Sequence, residues 1–250
     1  MAIKLEQITT DITLEIDEDM ISIADFQKAT DNFIGLVKEI SRQVSNDKSD
    51  SADWSVKVYS GSIGVGVLGN NSNHYADATR QEIVSGIKSL AQGIRPINFT
   101  DKAIDYAKNL SSLFKKTIVE PNVRIWSRRE ESVRMERKIA SAADNLLAVA
   151  YEEDGAVEGT LQKLDGHGKL QFVIYDLIDN RSVKCEIKET LLQQALTSFQ
   201  KRVEVIGVVK YRKDGMPVAI KASRIINFPD ISEIPSLAQM RELLSTGTTQ

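Results

Sequence analysis

The sequence predicts an α+β protein in two parts. Helices on a small antiparallel sheet come first, then a five-stranded β-barrel with one helix between its third and fourth strands. Three observations predict this. Apolar residues step by three or four through 26–44, 83–90 and 104–114, the spacing of one helix face. They step by two through 12–16 and 54–67, the spacing of one strand face. From 155 to 228 the two-residue beat returns five times and is broken once, by a helical run at 189–200.

Each element has a local reason. Ile12, Leu14 and Ile16 alternate with Thr13 and Glu15, which predicts a strand. Ser22 is placed as an N-cap, with Asp25 three residues on as a capping-box partner. Phe26, Ala29, Phe33, Val37, Ile40 and Val44 then form one helical stripe. The polar run 45–53 is a loop. Trp54, Val56 and Val58, then Ile63, Val65 and Val67, predict a hairpin with one buried face. A helix carrying Ile83, Ile87 and Leu90 ends at Gly93, its C-cap. Thr100 caps the next helix, with Phe99 and Ile104 as a hydrophobic staple. Residues 123–135 read as two short strands around a charged turn at 128–131, and a helix over 130–148 fits the pattern nearly as well.

The last third has the clearest plan. Strands fall at 155–165, 169–179, 182–188, 202–213 and 217–228, with a tight Asp214-Gly215 turn before the fifth. This β-β-β-α-β-β order resembles the OB-fold over about residues 155–229. Gly159 and Gly207, inside strands one and four, suit the sharp coiling of a small closed barrel. The chain also resembles uncharacterised bacterial proteins with the same two-part layout, from which no catalytic residue carries over. The expected domains are 1–150, 151–230 and a tail, 231–250.

Composition narrows the chemistry. With 42% hydrophobic and 27% charged residues, the 250-residue chain has enough apolar material for packed cores. No apolar run reaches the ~20 residues of a membrane span, and the acidic N-terminus does not read as a secretory signal. The single cysteine, Cys185, fits a reducing cytoplasm and reads as a half-buried strand residue. It cannot form a zinc cluster with two distant histidines, His74 and His167. No cofactor, metal or catalytic constellation is expected. Acidic runs near Asp17, Glu130 and Glu152 read as solubilising charge.

Two motifs mislead as text. Gly64, Gly66 and Gly69 spell GxGxxG, but they alternate with Ile63, Val65 and Val67 and so lie inside a strand. A phosphate-binding fingerprint needs them in a strand-to-helix turn. The kinase-like string at 218–221 follows Gly69 at a distance no kinase hairpin allows, and no catalytic-loop motif accompanies it. What the glycines predict is a strand side bare at Gly64 and Gly66, approached closely by some neighbour.

Three candidate contact surfaces remain. Residues 108–138 hold nine Lys and Arg against four Glu, a surplus of five, with Trp126 embedded. Lys115, Lys116, Arg124, Trp126, Arg128 and Arg129 are the candidate nucleic-acid contacts. On the barrel, Phe172, Lys184, Tyr211 and Arg212 are the candidate contact face. Residues 151–230 hold 12 basic and 12 acidic side chains, a balance that favours a protein partner over a polyanion. In the tail, Leu237, Met240, Leu243 and Leu244 form an apolar helix face, which suits either a partner groove or folding back on the barrel or the N-terminal part. The expected function is a non-enzymatic binding or adaptor protein, cytoplasmic and acting in a bacterial complex through the barrel and tail. The alternative is a nucleic-acid-binding accessory protein.

Overall fold

The computed structural model describes residues 5–17, 20–45, 53–59, 63–69, 75–113, 123–128, 130, 132–178, 181–229, 239 and 241. The protein is α+β and divides into two compact units, Met1–Leu147 and Ala148–Gln250. The division falls earlier than residue 150 because the first strand of the second unit starts at Val149 rather than near Gly155.

In the first unit, β1 (Ile12–Ile16), β2 (Trp54–Tyr59), β3 (Ile63–Gly69), β4 (Val123–Ser127) and β5 (Val133–Arg134) form one sheet in the order β2-β3-β1-β4-β5. Every neighbouring pair is antiparallel. Helices α1 (Ile23–Ser45), α2 (Tyr75–Ala91), α3 (Asp101–Ser111) and α4 (Arg137–Leu147) bury their stripes in a core shared with Ile12, Leu14, Ile16, Val65, Val67, Val123 and Ile125. The stretch open to two readings thus contains two short strands and then a helix.

The helix ends are held as the sequence predicts. Ser22 Oγ accepts the Asp25 backbone N–H at 3.0 Å and donates to its carboxylate at 2.7 Å. Thr100 accepts the Ala103 N–H at 3.2 Å, with Phe99 and Ile104 both buried behind it. Gly93 has φ +76°, the left-handed geometry of a helix terminus.

Burial departs from the expected pattern in two places. All five residues of β1 are buried, because this central strand is covered on both faces. The expected buried face of β2 is uncovered instead. Val56 and Val58 lie opposite Val67 and Val65, on the helix side, yet they are 57% and 72% exposed. They sit on the edge strand, outside the core that the helices share with β1, β3 and β4.

In the second unit, β6 (Val149–Asp165), β7 (Gln171–Tyr175), β8 (Ser182–Glu186), β9 (Arg202–Arg212) and β10 (Pro217–Asn227) close into a ring. Its order is β6-β7-β8-β10-β9 and back to β6. The β8–β10 pair is parallel and the other four are antiparallel. A 3₁₀ turn (Glu189–Leu191) and α5 (Leu192–Thr197) link β8 to β9. Leu161, Phe172, Ile174, Val183, Cys185, Val203, Val205, Val209 and Ile220 fill the interior. Gly159 and Gly207 let neighbouring strands come close, since a Cβ on either would strike the backbone carbonyl of Tyr175 or Lys221. Burial raises the Cys185 thiol pKa well above its ordinary value, which removes it as a nucleophile.

Candidate functional site

The side of the first sheet away from the helices carries the most concentrated polar arrangement. Alternation sends Thr13 and Glu15 of β1, Gly64 and Gly66 of β3, Lys57 and Tyr59 of β2, and Arg124 and Trp126 of β4 to this side. Thr13 and Glu15 are fully buried there, and Tyr59 and Trp126 are 9% exposed. A Cβ on Gly66 would collide with the Thr10 side chain and with the Tyr59 ring at 2.8 Å. The bare face of the glycine strand is therefore filled by Thr10 and Tyr59, and it offers no phosphate cradle.

The Tyr59 oxygen is the hub. It accepts the backbone N–H groups of Thr9 and Thr10 at 3.1 and 3.2 Å. It also shares a 2.7 Å hydrogen bond with Thr10 Oγ1, which lies 2.6 Å from Thr13 Oγ1. The Lys57 ammonium lies 5.2 Å from the ring centroid and donates to Thr9 Oγ1 at 2.7 Å. Burial opposes ionisation of this phenol. The hydrogen bonds to Thr10, Thr9 and Thr13 outweigh burial and lower its pKa to about 8.

Next to this hub, Trp126 donates its indole N–H to Glu15 at 2.7 Å. Trp126 is thus an anchored interior side chain, which corrects its placement among the candidate nucleic-acid contacts. Trp126→Phe takes a donor from a buried carboxylate, and a loss of about 1–3 kcal/mol in urea unfolding is expected.

Three basic residues of the segment are paired with neighbouring acids. Arg128 pairs with Asp11 at 3.4 Å, Lys108 with Asp144 at 2.5 Å and Lys138 with Glu136 at 2.7 Å. Arg124 is half-buried on β4. Lys115, Lys116 and Arg129 lie outside the described residues, as do Leu237, Met240, Leu243 and Leu244 of the tail.

The barrel candidates divide in the same way. Phe172 is fully buried and Arg212 is 1% exposed, so neither can present a contact surface. Phe172 points into the core because its strand alternates inward at Phe172 and Ile174. Arg212 Nε donates to Asp214 at 3.3 Å across the tight turn. Tyr211 is half-buried and stacks on Tyr151 with ring centroids 5.1 Å apart. Lys184 is exposed. The most exposed apolar side chains of the barrel follow β7, at Leu177 (56%) and Ile178 (96%).

Sequence reasoning missed Thr10, Thr13, Glu15 and Tyr59, because polar residues on a strand's alternate beat resemble a solvated face. Their signal was the glycine pair on the neighbouring strand, which leaves room that something must fill. Among the described residues, no group of three His, Cys, Asp or Glu could hold a metal ion. Among them, too, no helix is long and apolar enough to cross a membrane. No protein-family model matches the chain, and no curated protein matches it.

Proposed function

We propose that the chain is a non-enzymatic binding protein that works in a protein complex through an OB-like barrel. Two features support the OB-like reading. The ring runs first, second, third, fifth, fourth strand, with a parallel third–fifth pair and a helical link between strands three and four. One observation supports the choice of a protein partner. Of the two aromatic residues expected on the contact face, Phe172 is buried and Tyr211 is stacked on Tyr151, while Leu177 and Ile178 stand in water.

Affinity purification from the native host tests this reading. The wild-type chain is expected to recover a specific protein, and the double variant Leu177→Ser, Ile178→Ser is expected to lose it. Recovery of no specific protein by the wild type sinks the reading. Fluorescence anisotropy with single-stranded and duplex oligonucleotides at low salt is the matching control. Salt-sensitive binding at micromolar protein would favour the nucleic-acid alternative instead.

A further inference from the structure

We infer that β2 is a self-pairing edge, to which the β2 strand of a second copy of this chain adds in antiparallel register. This pairing is independent of the barrel's function, and it follows from how the strand edges of the protein differ. Proteins guard free edges with charge, brevity or cover. At one end of the first sheet, β5 is two residues long and carries Arg134. In the ring, β6 pairs with β7 only from Thr160 onward, which leaves its earlier residues paired with β9 alone. Exposed Glu152, Glu153 and Asp154 guard that stretch.

Among the described residues, nothing guards the β2 edge in this way. It is six residues long, and its helix side carries Trp54, Val56 and Val58. Its one charge, Lys57, is drawn back over its own sheet to Thr9 and the Tyr59 ring.

The strand complements itself. A two-fold axis through Val56 sets Val56 against Val56 of the second copy, Val58 against Trp54 and Lys57 against Ser55. This gives an aromatic–β-branched pair at each end and sets no like charges opposite. Shifting the axis to Lys57 would set two lysines face to face. Pairing about Val56 continues the sheet across both copies and brings their exposed valines together on one face. The closed two-fold contact also stops at a dimer.

Light scattering after size exclusion, from micromolar to sub-millimolar protein, tests the pairing. The wild type is expected at twice 27.8 kDa. Val56→Lys and Val56→Glu are each expected as monomers with unchanged circular dichroism, since Val56 is 57% exposed. An equimolar mixture of the two variants is expected to recover the dimer, with lysine facing glutamate. A wild type that stays monomeric throughout overturns the inference. So does a Val56→Lys variant as dimeric as the wild type, or a mixture that remains monomeric.

Discussion

Gly207→Ala is expected to unfold the barrel far more readily than its single methyl suggests. A Cβ at this position would overlap the Lys221 carbonyl oxygen, with the carbonyl carbon at 2.9 Å and Ala222 Cα at 3.0 Å. All three atoms are backbone of β10, so no side chain can rotate away. The pairing is already irregular here, with a register shift between Ala222 and Arg224. Relief requires β9 and β10 to separate, which breaks ring closure. A loss of about 3 kcal/mol or more is expected, at or above the upper end for overpacking. Urea unfolding followed by circular dichroism measures it. Gly166→Ala is the control, because its nearest contact would be the Leu170 side chain at 3.9 Å. That variant is expected to stay within about 0.5 kcal/mol of wild type. Equal stability of the two variants would show that the β9–β10 approach is not tight.

Stability of the first unit is expected to rise as pH increases from about 8 to about 10, through Tyr59. Its folded pKa is about 8, against 10.0 for an unperturbed tyrosine. A depressed pKa means that folding favours the ionised form. The contribution is therefore complete above the unfolded pKa and is lost as pH falls through the folded one. A pKa displaced this far corresponds to at most about 2–3 kcal/mol, and to less where water screens the phenolate. The difference in unfolding free energy between wild type and Tyr59→Phe isolates this group from others that titrate nearby. That difference is expected to grow with pH across the window. Ultraviolet absorbance of the phenolate, followed through an alkaline titration, supplies a direct reading. One of the six tyrosines is expected to ionise early, and the step should vanish in Tyr59→Phe. A stability difference that stays flat with pH would mean the threonine hydrogen bonds do not favour the phenolate.

Legibility in the sequence followed the range of the interactions. The Ser22 and Thr100 caps, the Gly93 terminus and the five strands of the ring were readable because each depends on residues a few positions apart. Gly159 and Gly207 were readable as unusual, and the structure supplies the carbonyls that require them. The alternation of β2 was readable as a strand, yet it pointed to the wrong burial. A period of two identifies the two faces of a strand, and which face is covered depends on the helices that reach it. Trp126 and Phe172 are buried, and so fail as contact residues, for the same reason. The Glu15 partner of Trp126 and the interior that takes Phe172 lie far along the chain.

By itself, then, the sequence determined the element types, the two-part division and the close approach that the glycine strand demands. Those are local consequences of backbone sterics, side-chain period and capping. Tertiary structure alone decided that Thr10 and Tyr59 fill the bare side of Gly66, and that a phenol there gathers two backbone N–H groups. It alone left the β2 edge uncovered among the described residues. Burial and hydrogen-bond partnership are properties of what arrives from elsewhere in the chain, and no local pattern encodes the arrival.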